Sequence, residues 1–284
     1  MTVGSVRISG SGRLAGISEI IRAHPLPAFF VLAYAVSWGL LLVLSGLMHE
    51  PAALVILVQT LGPTVAARIV LTTMGGRVAY RAMRRRGRVW NVPLRWYLVA
   101  LAGVPAACLG AVALFPGGIG ALQNASAGAT VATFVTFLVI GFFSGPLFEE
   151  PGWRGFALPR LERDRSPLVA TLILGVLWGA WHLPQFLVPE WAAQNGGSDP
   201  ATIVAFLVLV MALAPLLTWV YNRTGSLFLA MVTHASINAS LSIVPVLPAG
   251  PMFVGIVAFG AIALALIIGT RGRLGYGAQV LDQT

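Results

Sequence analysis

The stretch Phe148-Glu149-Glu150-Pro151-Gly152-Trp153-Arg154-Gly155 closes a long apolar run that begins at Ala129. Two adjacent carboxylates and an arginine stand there, in a chain with nine acidic residues among 284. An ionisable group at the margin of a membrane span is expensive, so it marks a functional site by default. On a helix Glu150 and Arg154 lie four apart and share a face, so they can pair. That pairing leaves Glu149 free to act. Pro151 removes a backbone donor and disfavours helical geometry at Glu150. Such a break is tolerated at membrane depth where it lines a wet cavity. A salt bridge at a helix end is the plain alternative, and this stretch by itself does not separate the two.

Working outward, composition sets the medium. Hydrophobic residues make up 57% of the chain and charged residues 10%, far from the roughly 25% charged of a soluble domain. Apolar runs fall at 26–47, 52–72, 94–115, 129–148, 166–188, 201–221, 226–246 and 252–269. Each suits a span of ~20 residues. The first is too long for a signal-peptide core and reads as a retained span. Because a backbone in lipid must satisfy its own hydrogen bonds, the expected fold is all-α, a polytopic bundle of about eight transmembrane helices. Residues 1–24 read as a loosely ordered cytoplasmic tail, 25–270 as the transmembrane domain and 271–284 as a second cytoplasmic tail.

Formal charge is +9, carried entirely by arginine. The arginines gather beside alternate span ends: in a basic loop at 77–88, at 160–165, at Arg223 and at Arg271 and Arg273. The intervening links hold His49, Glu50, Glu190 and Asp199 and no arginine. This is the positive-inside pattern, and it puts both termini in the cytoplasm. It argues against a nucleic-acid partner and for contact with membrane lipid; a bacterial plasma membrane is the expected setting. The single cysteine, Cys108, lies in an apolar run, so no disulfide framework exists.

Two other spans carry polar groups. His182 lies four residues after Trp178 in Trp178-Gly179-Ala180-Trp181-His182, and His234 lies four before Asn238. A lone histidine on an apolar helix is more often hydrogen-bonded filler; a histidine and an amide on one face are harder to explain so. Glu149 and His234 both lie eleven residues from a basic anchor, Arg160 and Arg223 respectively, or roughly 16 Å at 1.5 Å per residue. His182 lies seventeen beyond Arg165, roughly 25 Å, and fits that depth less well.

Two chemistries suit this set. In one, Glu149 with His182 deprotonates a water while His234 and Asn238 donate to a developing oxyanion. In the other, Glu149, His182 and His234 hold zinc or another divalent metal that acidifies the water. The sequence leaves both open, and it has no HExxH motif. A serine mechanism at Phe143-Ser144-Gly145 lacks the Gly-x-Ser-x-Gly context.

At these residues the chain resembles the CAAX-protease and bacteriocin-processing (CPBP) family of intramembrane endopeptidases, which includes the type II CAAX prenyl endopeptidases. The family motifs EExxxR, aromatic-xxx-His and HxxxN read here as Glu149-Glu150-xxx-Arg154, Trp178-xxx-His182 and His234-xxx-Asn238. The resemblance covers about 145–240; tryptophan at 178 stands where phenylalanine is commoner and keeps an aromatic wall. It implies peptide-bond cleavage within the membrane, at a site opening to the cytoplasm, in a membrane-associated and in some relatives prenylated protein. It also implies that Glu149, Glu150, Arg154, His182, His234 and Asn238 carry the reaction. The rival reading is a non-catalytic membrane partner, such as a bacteriocin-immunity factor. A transporter is third, but no two-half symmetry of broken helices is visible.

Overall fold

The computed structural model describes residues 10–277; 1–9 and 278–284, the ends of the two expected tails, lie outside the described residues. Every regular element among them is helical. In order they are α1 (Gly10–Ala23), α2 (Pro25–Leu41, continued by a wide π turn to Leu47), α3 (Ala52–Gln59), α4 (Leu61–Arg86), α5 (Leu94–Leu98) and, after a π turn, α6 (Val104–Val112). Then come α7 (Gly118–Asn124), α8 (Ala127–Ser144), α9 (Pro146–Gly152), a π turn at Trp153–Ala157 and α10 (Leu158–Asp164). The rest are α11 (Pro167–Trp181), a 3-10 turn at Leu183–Leu187, α12 (Pro189–Gln194), α13 (Pro200–Thr224), α14 (Leu227–Ser242) and α15 (Gly250–Gly269).

Seven helical stretches are long and apolar enough to cross a membrane. They match the expected spans except 226–246, which is the shorter apolar helix α14 at 16 residues. The chain is thus an all-α, polytopic integral membrane protein. Local chemistry explains many boundaries. Side-chain oxygens of Ser126, Ser166 and Ser226 accept from the backbone N–H three residues on, and Asp199 accepts from Ala201 and Thr202. These satisfy donors that a helix start leaves unpaired. Gly225, at φ 63°, ends α13 in the left-handed conformation that glycine adopts without strain.

Three expectations are corrected. The first tail is helical from Gly10, with α1 packed on α4. The arginine-rich segment 73–93 is largely the end of α4, which bends at Gly75 and Gly76 rather than opening into a loop. The fourth span stops at Ser144; the glutamates sit on the separate helix α9 beyond a kink at Gly145 (φ −159°, ψ −73°).

In lipid there is little hydrophobic drive to bring helices together, so close packing and buried polar bonds do it. The strongest pairings are α2 with α4, α13 with α15, α14 with α8, α11 with α13, and α4 with α9. Gly152 is what lets α9 meet α4: a Cβ there would stand 2.5 Å from Pro63 Cβ and 2.7 Å from Pro63 backbone atoms. Behind α9, Phe29, Trp153 and Trp181 form a chain of edge-on ring contacts at 5.6 and 5.8 Å. The arginine-bearing ends converge on one face. Arg86 donates to the Tyr221 hydroxyl at 2.8 Å, Asn222 donates to Glu162 at 2.6 Å, and a Cβ on Gly275 would meet Arg223. At the other end, Val188 packs with Leu41 and Val55.

Candidate active site

Helix α9 carries the central pair. Pro151 sits near its C-terminus, where its missing N–H leaves the carbonyl four residues back without its usual donor. The chain then widens into the π turn at Trp153–Ala157, a feature frequent at functional sites. Thr64 on α4 donates its hydroxyl to the Phe148 carbonyl and so ties α9 down just before the glutamates.

Glu150 and Arg154 are both fully buried, and Arg154 Nη1 donates to Glu150 Oε1 at 2.9 Å. His234 Nδ1 meets the same oxygen at 2.8 Å. A carboxylate only accepts when ionised, so His234 holds its proton on Nδ1. Its Nε2 is then the nitrogen left for the chamber described below. This bond joins residues 84 apart in sequence.

Glu149, 5% exposed, is not left free, as the i to i+4 argument has it. The indole Nε1–H of Trp178 donates to its Oε2 at 3.0 Å. The face of the same indole lies 4.5 Å from the Arg154 guanidinium carbon, a cation–π contact in a desolvated place. Trp178 also packs edge-on against His234, with ring centroids 5.1 Å apart, and lies 5.7 Å from His182. The sequence offered Trp178 only as an aromatic wall. Its four-residue spacing to His182 was visible; its donor role toward a carboxylate 29 positions away was not.

His182 ends α11 without touching the glutamates. Its Nδ1 lies 2.8 Å from the Trp178 carbonyl, so that nitrogen carries the proton and Nε2 keeps its lone pair. Helix α2 holds this end of α11 in place: Tyr34 donates to the Leu177 carbonyl, and Trp38 Nε1 donates to the Trp181 carbonyl at 3.0 Å. The depth mismatch at His182 has a simple resolution. The group that reaches Glu149 from α11 is Trp178, one turn nearer the arginine-rich end, because helical side chains lean toward their own N-terminus.

A cavity of about 720 Å³ lies against Glu149, Trp178, His182, His234 and Asn238. This volume falls in the usual range for a small-ligand or peptide site. The cavity continues past Gln185 to Trp191, Gln194 and Asn195, and past Ser242 to the residues just before α15. Five of the six expected residues are therefore gathered by direct bonds or by Trp178, and Asn238 follows one turn after His234 on the chamber wall. Ser144 also lines the chamber, with its hydroxyl donating to the Gly141 carbonyl at 3.3 Å.

The same side chains were the candidate ligands of the metal alternative. Among the described residues no three His, Cys, Asp or Glu side chains form a group that could hold a metal ion. Glu149 has one oxygen on Trp178, and each imidazole has Nδ1 bonded and Nε2 left over, an arrangement that metal-bound and metal-free histidines share. Glu149, His182 and His234 share a chamber without forming a ligand set.

Comparison with known proteins bears on the same residues. Residues 131–240 match the family described as type II CAAX prenyl endopeptidase Rce1-like. A CAAX prenyl protease 2 of Methanococcus maripaludis is 28% identical over 93 residues, 32% of this chain and 34% of that protein. The match thus spans about a third of the relative's length. All three motifs lie inside 131–240, so the segment that is similar to the Rce1-like family is the one that carries them.

Proposed function

We propose that the protein is an intramembrane endopeptidase that hydrolyses a peptide bond in a membrane-associated protein or peptide by activating water. The observation that carries this reading is the division between two adjacent glutamates. Glu150 is buried and holds Arg154 and His234 on its Oε1, while Glu149 faces the chamber beside both histidines. Two carboxylates in unlike surroundings are suited to unlike roles.

In this mechanism Glu149 accepts a proton from a water in the chamber as the water oxygen attacks the peptide carbonyl carbon. His182 Nε2, with its lone pair toward the chamber, positions that water. The carbonyl oxygen gains negative charge, and the Asn238 amide N–H and His234 Nε2 stabilise it. Nε2 can donate only when His234 is protonated on both nitrogens, a cation for which Glu150 is the counter-ion. The proton held by Glu149 then passes to the leaving nitrogen as the C–N bond breaks. Trp178 and Arg154 are positioning residues: one orients Glu149, and the other fixes Glu150 and through it His234. No step of this reading is assigned to a metal. The curated relative is named for prenylated CAAX proteins, and such a tail is one candidate substrate.

The test compares wild type with Glu149→Gln, expressed equally in a host lacking the protein, by mapping protein termini in the membrane fraction with mass spectrometry. New termini that depend on Glu149 support proteolysis. Identical maps from two folded proteins overturn it in favour of a non-catalytic binding role.

A further inference from the structure

The direction in which the chamber opens carries an inference that the motifs do not. Its wall beyond Glu149 and the histidines is built from two links. One is the segment after α11, with Trp191, Gln194, Asn195 and Gly196; the other is the segment before α15, with Pro248, Ala249 and Gly250. Ile56 and Thr60, on the stretch following the link at 48–51, close the third side. Helix α13 runs from the first of these links to Arg223, and α14 runs back from Ser226 to the second. All three links therefore lie at the end of the bundle opposite the arginine cluster. The cluster itself is held together by contacts of Arg86 with Tyr221 and of Glu162 with Asn222. No lining residue of the chamber is an arginine, and its ionisable groups are Glu149, His182 and His234 alone.

We propose that this site takes its substrate from the non-cytoplasmic side of the membrane. The substrate class is an uncharged, largely apolar peptide segment beside a membrane span of an exported or membrane protein. The inference rests on the endopeptidase reading for the word substrate, and on charge asymmetry for the direction. Arginine-rich short loops stay in the cytoplasm, so the opposite end, with Glu50, Glu190 and Asp199, faces out. The family resemblance implies the reverse, a site opening to the cytoplasm, as a prenylated cytoplasmic tail would need. Here Trp153, Phe156, Leu158 and Leu161, which lie in the chain between the glutamates and the arginines at 163–165, are buried, and none of them lines the chamber. The wall chemistry fits the proposed occupant. Trp191, Phe206, Leu209 and Leu213 give apolar area, while Gln185 and Asn195 offer neutral hydrogen bonds to an extended backbone.

Thiol labelling in intact cells tests this without any turnover. Cys108 is buried and is replaced by alanine. Single cysteines are then placed at the chamber rim (Gln194→Cys, Ser242→Cys) and at the arginine face (Arg84→Cys). A membrane-impermeant maleimide is applied before and after permeabilisation. The rim cysteines are expected to label fully in intact cells and Arg84→Cys only after permeabilisation. The inverse pattern, or failure of the rim to label in intact cells, overturns the proposal. The endopeptidase reading is unaffected by that result, since it stands on the Glu149-dependent termini. Those termini give a second arm: cuts on the outer side of spans support the inference, and cuts confined to cytoplasmic segments overturn it.

Discussion

Arg154 is the residue whose loss the structure prices most directly. It is fully buried, its Nη1 is 2.9 Å from Glu150 Oε1, and its guanidinium lies 4.5 Å from the Trp178 ring centroid. Arg154→Met keeps much of the side-chain volume and removes the charge. Glu150 is then left with His234 alone. Breaking a buried pair by removing one partner costs about 3–5 kcal/mol, and the lost cation–π contact belongs to the same desolvated site, about 2 kcal/mol when taken singly. Glu150→Gln strands the cation instead and should cost a similar amount. The double variant strands neither charge, because a glutamine oxygen still accepts from His234. It should therefore be less destabilised than the sum of the singles by about 2–3 kcal/mol, the upper range for residues in contact. The measurement is an unfolding titration in detergent micelles, followed by tryptophan fluorescence, to which Trp178, packed on Arg154, contributes. Additivity within about 0.5 kcal/mol, or a single-variant loss below about 1 kcal/mol, the level of an exposed pair, would refute the reasoning.

Other expectations are narrower. Trp178→Phe keeps the ring but loses the donor to Glu149; a hydrogen bond to a charged group is worth about 1.5–3 kcal/mol, so turnover should fall by about 10–100-fold while the protein stays folded, and an unchanged rate would remove Trp178 from the positioning role. Gly152→Ala should destabilise by about 1–3 kcal/mol, as overpacking does, because its Cβ meets Pro63 at 2.5 Å; the same titration reads it. Glu162, buried on the arginine face outside the spans, has its carboxyl pushed up to about 7 by burial, against a weaker opposing bond from Asn222. The folded state then keeps a proton that the unfolded chain has lost, so stability should fall as pH rises from its ordinary value of 4.5 to about 7 and level off above. Glu162→Gln should flatten that slope, and a slope unchanged in the variant would assign it to another group.

The local part of this protein is legible from its residues. The spans follow from apolar run length, and the helical caps from serine and aspartate at the starts. The Glu150–Arg154 pair follows from four-residue spacing, since that spacing fixes which side chains share a face wherever the helix goes. The same rule misjudged Glu149, which it left free. Span four was also misread: composition continues unbroken through Gly145, and only the backbone angles there show that the chain turns.

What tertiary structure alone decided is how each helix is rotated about its axis and which neighbour it meets. That rotation put His234 on the oxygen that Arg154 already holds, and aimed the Trp178 indole at Glu149. It also left Glu149, His182 and His234 around a chamber without forming a metal-ligand set. The wall of the chamber was likewise beyond the sequence, because links far apart in the chain line it. Periodicity reports the face a residue occupies on its own helix; packing shape and buried hydrogen bonds decide what that face meets.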